Sequence, residues 1–462
     1  MNRRNLLKTL SLSLGAGMIN TDVLGQITEN AYSYRIPANP LHKPMAKPIT
    51  AITLGAGNRG TVYGNFAAAY PEQMKIVGVA EPIKFRNDKY AQKHKITETN
   101  RFNTWEDVFK KPKMADAVII SMPDNLHYEP CMKALSMGYD ILLEKPIAPT
   151  EQECRDILAL AKKTGRIVAV CHVLRYAPYF VKMKELIAKG AIGEVISIQH
   201  FEPIEHTHMA HSYVRGNWHN SKETTPIILA KSCHDLDIMK WMIEKRAKKI
   251  VAMGDLKWFK KANAPLGSTA RCTDGCKVER ECPYSAIREY VDKNSRTAVL
   301  DIPENVADRK AAIREKLKTS NYGRCVYQMD NDQPDHYITS IQFEDSITAN
   351  FSMEAFTSYH DRRTRIMGSM GDMVGDMTEL VVHDFKTGKE TKFIPKAEDV
   401  EGYKNSGHGG GDWLLVKDFV QAVSQQNPAL LTSTIDDSIE SHIMGFMAEN
   451  SRKQGKVMDI KM

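Results

Sequence analysis

Residues 49–60 read Ile-Thr-Ala-Ile-Thr-Leu-Gly-Ala-Gly-Asn-Arg-Gly, and an amphipathic run from Val62 to Tyr70 follows them. A short β-like run, a G-x-G-x-x-G turn and a helix start succeed one another, the context in which that glycine pattern is informative. Each glycine has a steric task. Gly55 permits the tight turn, Gly57 lets the backbone approach a pyrophosphate, and Gly60 lets the helix pack close to the strand. A phosphate would then meet the free N–H groups of the helix N-terminus, with Asn58 and Arg59 on the same turn.

Working outward, a second strand from Lys75 to Ala80 ends at Glu81, 21 residues after Gly60. A carboxylate there can accept hydrogen bonds from both hydroxyls of the adenosine ribose and would repel a 2′-phosphate, so NAD is favoured over NADP. Arg59 and Arg86 are the nearby cations that could reverse that preference. Further strands are expected at Asp116–Ser121, Tyr139–Leu143 and Ile167–Cys171, with helices at Tyr128–Met137 and Thr150–Lys163, the latter opening on a Thr150/Glu153 capping box. Such alternation predicts a doubly wound parallel sheet of Rossmann type over residues 48–172. Ligands bind these sheets at the carboxyl ends of the strands, which brings Ser121, Pro123, Asn125, His127, Glu144 and Lys145 to one cleft.

Beyond Cys171 the pattern changes. A helix at Tyr179–Lys189, strands at Glu194–Glu202 and Arg363–Gly368, and a hairpin of His336–Phe343 with Ile347–Met353 predict an α+β domain over 173–462 with a mostly antiparallel, open sheet. Helical patterns at Trp413–Val423 and Ile435–Glu449 would pack back against the sheets, with Asp412 as N-cap of the first. The glycines of Ser406–Asp412 would let His408 approach a ligand. His200, His206, His208, His211 and His219 crowd one region. The spacing of His206, His208 and His211 suits a metal, but Tyr213, Arg215, Asn217 and Trp218 in the same loop suit sugar binding better, since aromatic faces stack on C–H surfaces while polar tips bond hydroxyls.

The bulk numbers exclude several classes. The chain has 462 residues, 42% hydrophobic and 26% charged, with a net charge of +7. Arg3, Arg4, Lys8 and Asp22 give residues 1–25 a net +2, so a chain beginning at Gln26 carries +5. No sustained basic run points to nucleic acid, and no apolar run approaches the roughly 20 residues of a membrane span. Arg3-Arg4 before the short apolar stretch Thr9–Ile19, with Val23-Leu24-Gly25 as a cleavage site, resembles a twin-arginine export leader over 1–25. That leader implies a periplasmic location. Residues 26–47 read as a linker.

Gly55–Gly60, Glu144-Lys145-Pro146, Arg175-Tyr176-Ala177-Pro178 and Ser232-Cys233-His234-Asp235-Leu236-Asp237 together resemble the Gfo/Idh/MocA oxidoreductases, the glucose-fructose oxidoreductase and inositol dehydrogenase group. The resemblance runs from about Pro48 to the C-terminus. It implies that Lys145 lies between nicotinamide and substrate as the catalytic lysine, that His234 is a proton acceptor, and that the substrate is a saccharide, glycoside or cyclic polyol in a homo-oligomeric enzyme. Arg175, Tyr176, His208, His211, Trp218, Lys231, His234 and His408 are the candidate substrate contacts. The chemistry agrees: oxidising an alcohol needs a base for the hydroxyl proton and a donor for the developing alkoxide. One departure stands out. The family places an Asp four residues before the histidine, where this chain has Ala230, and Lys231 or Asp237 would have to compensate.

Of eight cysteines, Cys131, Cys154, Cys171 and Cys233 sit in apolar patterns and read as buried thiols. Cys272, Cys276, Cys282 and Cys325 suit either a structural zinc site, or an iron-sulfur cluster, or two disulfides, with free thiols as the third reading. Export would require the NAD to stay bound and be regenerated on the enzyme. That suits a sugar–sugar redox couple, or a redox-neutral glycosidase that oxidises, eliminates, hydrates and reduces. A non-catalytic, NAD-containing sugar-binding protein is the third reading.

Overall fold

The computed structural model describes residues 43–395 and 407–461. The leader and the first part of the linker lie outside the described residues. Six strands form the first sheet: β1 (Ile49–Leu54), β2 (Met74–Ala80), β3 (Arg101–Phe102), β4 (Ala117–Ile120), β5 (Asp140–Leu143) and β6 (Val168–Val170). They lie in the order β3-β2-β1-β4-β5-β6, every pair parallel. β4, β5 and β6 are buried at every position, as strands covered on both faces must be. The capping box forms as expected: Thr150 accepts from the Glu153 N–H and Glu153 reaches back to Thr150, opening the helix Glu151–Thr164.

The second sheet holds β7 (Val195–Pro203), β8 (Ala247–Asp255), β9 (His336–Phe343), β10 (Thr348–Glu354), β11 (Arg363–Gly368), β12 (Gly371–Gly375), β13 (Leu380–Asp384), β14 (Glu390–Phe393) and β15 (Met458–Asp459). Their order is β14-β13-β12-β11-β7-β10-β9-β8-β15. All pairs are antiparallel except β7–β10. β9 alternates buried and exposed residues, so one face packs inward and the other is open.

The two C-terminal helices return to different places. Leu415, Val416, Phe419 and Val420 of the helix Gly411–Gln425 join the core formed with Ile49, Ala51, Ala117 and Ile119 of the first sheet. The helix Ile435–Gln454 packs on β8 and on the helix Cys233–Ile243. Between β8 and β9 the chain makes a long excursion with a small core of its own, built from Ala286, Tyr290, Val291, Leu300, Ile302, Ile313 and Leu317.

Candidate active site

The glycine turn leaves β1 at the point where strand order reverses between β1 and β4, the place where such sheets take ligands. Gly55 has φ +89°, and a Cβ there would lie 2.9 Å from the backbone of Ser121 and Met122. A Cβ on Gly60 would lie 2.1 Å from the Gly55 carbonyl. Ser121 Oγ donates to that same carbonyl (2.8 Å), tying the end of β4 to the turn. Gly57 faces open space, its nearest neighbour being Arg86 Nη1 at 3.8 Å from where a Cβ would sit. The helix Asn58–Ala69 has no side-chain cap and no acidic residue in its first turn, so its first N–H groups remain available to an anion. Glu81, buried at the end of β2, accepts from Ala56 N (2.8 Å) and Ile83 N (2.9 Å), which leaves lone pairs for two ribose hydroxyls. These residues fit a dinucleotide, with pyrophosphate at the turn and adenosine beside Glu81.

Arg59 is not available to a 2′-phosphate. Its Nε donates to Glu144 Oε1 (2.5 Å), its Nη2 to Asp412 Oδ1 (2.9 Å) and also to the Tyr63 hydroxyl. Glu144 accepts from the Lys145 backbone N–H through its other oxygen (3.0 Å). Burial pushes the Glu144 carboxyl up, but Arg59 and Lys145 outweigh burial and hold it below the usual carboxylate range. Asp412 is likewise held low: burial opposes, and Arg59 and His408 prevail. The expectation that Asp412 caps its helix is corrected. Gly410 takes the N-cap position, and Asp412 turns inward to accept from Arg59 and from His408 Nδ1 (3.1 Å).

Lys145 follows β5, and its peptide bond to Pro146 is cis. Its Nζ donates to the Ala230 carbonyl (2.7 Å). The residue standing where an Asp was expected thus meets the lysine through its backbone. His234 lies at the start of the helix Cys233–Ile243, 6% exposed, with a ring 6.2 Å from that of His408 and 5.6 Å from that of His172. Burial, then the charges of Lys145, His172 and His408, keep its pKa well below that of a free histidine, so His234 is neutral. Its Nδ1 has no hydrogen-bond partner among the described residues. Of the two residues expected to compensate for the missing Asp, Lys231 is paired with Glu202 (3.2 Å) and Asp237 with Arg175. Asp237 takes the Arg175 guanidinium on both oxygens (2.7 Å each). Asp235 is held by Arg362 (2.5 Å) and His200 (3.0 Å).

Lys231 pairs with Glu202 (3.2 Å), and Arg362 meets the other Glu202 oxygen (2.5 Å). Burial lowers the Lys231 amine from its ordinary value; Glu202 opposes this, and Arg362 and Lys145 add to it. His208 is lowered well below its usual range by burial and then by Lys231 and Arg296. Lys145, Lys231, His208, His234 and His408 are therefore coupled through one region.

Other predicted residues go elsewhere. Arg175 also donates to the Thr432 carbonyl (2.7 Å), and the Tyr176 hydroxyl accepts from Thr432 N (3.2 Å). Both residues anchor the C-terminal segment, because their polar groups are spent within the protein. His127 is buried between two strand-end loops, its ring nitrogens 2.8 Å from the Pro146 carbonyl and 3.0 Å from that of Met122. Pro123 and Asn125 are exposed on the loop after β4, and Asn58 is exposed on the glycine turn. His211 bonds the Tyr290 hydroxyl (2.8 Å) and stacks on Tyr322. Trp218 lies against Tyr213.

The metal and disulfide expectations are corrected together. Cys272, Cys276, Cys282 and Cys325 line one cavity of about 20 Å³ but carry free thiols. Among the described residues no group of three or more His, Cys, Asp and Glu side chains is arranged to hold a metal ion. The charge facing these sulfurs is already positive: Arg215 Nη2 lies 3.8 Å from Cys272 Sγ.

Sequence reading missed Glu202, Arg362 and the inward turn of Asp412. The first pair forms only because β11 runs beside β7 with Arg363 opposite Phe201, a register that no local pattern announces.

Residues 49–172 match the family model for an oxidoreductase family with an NAD-binding Rossmann fold, and residues 184–460 match its C-terminal alpha/beta domain. YteT of Bacillus subtilis is 24% identical over 322 residues, covering 68% of this chain and 73% of that one. Inositol 2-dehydrogenase of Rubrobacter xylanophilus is 26% identical over 168 residues, 34% of this chain and 44% of that one. Levoglucosan dehydrogenase in complex with NADH and levoglucosan superposes with a TM-score of 0.66 at 15% identity, over 90% of this chain and all of that one. No described helix is long and apolar enough to cross a membrane. The Rossmann sheet, the glycine turn at its switch point and both family matches lead to one statement: the chain belongs to the Gfo/Idh/MocA family of NAD-binding oxidoreductases.

Proposed function

We propose that this protein takes a hydride from a hydroxyl-bearing carbon of a saccharide, glycoside or cyclic polyol, using a tightly held NAD. The observation that carries this reading is the meeting of Lys145 Nζ with the Ala230 carbonyl, within the electrostatic reach of the neutral His234, while the adjacent Glu144 is tied to Arg59 of the glycine turn. NAD supplies the hydride acceptor. Lys145 donates a hydrogen bond to the reacting oxygen and stabilises the developing alkoxide. His234, neutral and with Nδ1 unpartnered, takes the hydroxyl proton. His208, Lys231 and His408 bond the remaining hydroxyls in this reading, and Trp218 stacks on the C–H face of the ring.

A second reading is favoured by Lys231. A buried amine lowered from its ordinary value can remove a proton next to a newly formed carbonyl, which a redox-neutral glycosidase requires. Wild-type protein given each inositol, aldose or glycoside singly separates the two: net oxidation leaves the bound nicotinamide reduced, once per site, with no aglycone released, whereas redox-neutral cleavage releases many aglycones per site and leaves the nicotinamide oxidised. K145A abolishes turnover in either case while still binding NAD. An unchanged rate in K145A refutes the assignment. We further propose export by the N-terminal leader and assembly as a homo-oligomer. The mass of the mature chain and of the native assembly tests both.

A further inference from the structure

Two residues of the excursion between β8 and β9 reach the cofactor side of the Rossmann sheet. Asp301 accepts from Arg86 Nε (2.8 Å) and Nη2 (3.0 Å), a two-point contact. Three residues on in both elements, Lys89 pairs with Glu304 (2.7 Å). Arg86 and Lys89 belong to the helix Lys84–His94, which begins just after Glu81. The two pairs differ in setting. The Arg86 and Asp301 side chains are 28% and 21% exposed, whereas Lys89 and Glu304 are 61% and 84% exposed. An exposed pair contributes little, so the second pair is a surface contact and the first is the consequential one.

The position of Arg86 gives the pair its meaning. Among the described residues its Nη1 is the nearest atom to the open side of Gly57, and Glu81, after Asp301, is one of the acids that stabilise its charge. An arginine beside the ribose site is the group that accommodates a 2′-phosphate, and an acid at the end of β2 is the group that excludes one. This chain has both. The bidentate carboxylate of Asp301 holds the Nε–Nη2 edge of the guanidinium and offsets its charge.

We propose that Asp301, supplied from outside the Rossmann sheet, sets the preference for NAD over NADP by neutralising Arg86 beside the adenosine ribose. The proposal rests on the dinucleotide reading of the glycine turn. The preference is then built from two layers. Glu81 meets the ribose hydroxyls, and Asp301 disarms Arg86, while Arg59 is already spent on Glu144 and Asp412. The excursion also becomes part of the cofactor site, though it lies more than 200 residues from the glycine turn in sequence.

Asp301 has φ +50°, a conformation that Asn tolerates nearly as well as Asp. D301N therefore removes the charge with little backbone strain. The test is competition of NADP⁺ against NAD⁺ for purified protein, read by displacement of NADH fluorescence, with no substrate present. D301N is expected to raise affinity for NADP⁺ relative to NAD⁺ by about tenfold, the scale of one charge-assisted contact at a partly exposed site. D301N/R86Q is expected to lose that gain. An unchanged ratio in D301N that still binds NAD⁺ overturns the proposal and leaves the dinucleotide site standing. Wild-type protein that binds neither dinucleotide overturns the site reading itself. Loss of NAD⁺ binding in both D301N and D301S also counts against the proposal, because the pair would then be holding the fold rather than selecting a cofactor.

Discussion

Replacing Arg59 with Met removes a cation that two buried carboxylates share. Glu144 and Asp412 have side chains only 7% and 1% exposed. At the 2.9 Å separation from Asp412, the gross attraction is about 6 kcal/mol at an effective dielectric of about 20. Desolvation cancels much of it, and breaking a buried pair from one side costs roughly 3–5 kcal/mol because the partner charge stays behind. Arg59 is 26% exposed, so water compensates in part and the low end applies: R59M is expected to lower the unfolding free energy by about 3 kcal/mol. The penalty comes from orphaned charge, so neutralising the orphans restores stability. The triple variant R59M/E144Q/D412N is expected within about 1 kcal/mol of wild type, as buried ion pairs replaced together often are. Urea titration followed by tryptophan fluorescence reads both. A loss below about 1 kcal/mol in R59M, or a triple variant no more stable than R59M, refutes this account of the network.

Three further outcomes are expected. G60A brings a methyl group to 2.1 Å from the Gly55 carbonyl, so the turn must open and NAD affinity falls at least tenfold by fluorescence titration; wild-type affinity would contradict the cradle. His442 is held at about 3 against an ordinary 6.5, chiefly by burial and then by the charge of His172. Below pH 6.5 the unfolded chain takes up a proton that folded His442 refuses, so stability falls as pH drops from 6.5 toward 3. That site alone costs about 2 kcal/mol between pH 7 and 5; H442Q, able to bond Ser438 and Ile147, is expected to flatten that slope, and an unchanged slope refutes the assignment. The structure pairs no cysteines among the eight, so unfolding without reductant is expected to expose eight titratable thiols, and four would show that disulfides form.

The Rossmann half was legible because its signals are local. Gly55, Gly57 and Gly60 fall within six residues, a spacing readable in the chain itself, and the apolar runs of β4 and β5 announce burial on both faces. Strand ends placed Glu144 and Lys145 at the cleft by topology alone. The second half was less legible because its decisive contacts join distant segments. Arg175 and Tyr176 looked like ligand contacts, yet Asp237 and Thr432 consume their polar groups. Asp412 carried a helix-cap signature, but Arg59, far away in sequence, offers a buried carboxylate more than the helix end does. The cysteine spacing resembled a ligand set, and only the folded chain shows Arg215 standing beside the sulfurs. Short edge strands such as β14 and β15 lack enough alternation to be read at all.

Hydride transfer in this protein requires a nicotinamide within reach of a hydroxyl-bearing carbon held by Lys145. Protein loaded with NAD⁺ and mixed with a polyol deuterated at its carbinol carbons tests it directly, with the cofactor analysed by mass spectrometry. Wild-type protein is predicted to yield a deuterium-bearing reduced nicotinamide, and K145A to yield none despite bound NAD⁺. Cofactor that stays unlabelled across inositols, aldoses and glycosides in the wild type, or that is labelled equally in K145A, contradicts the account.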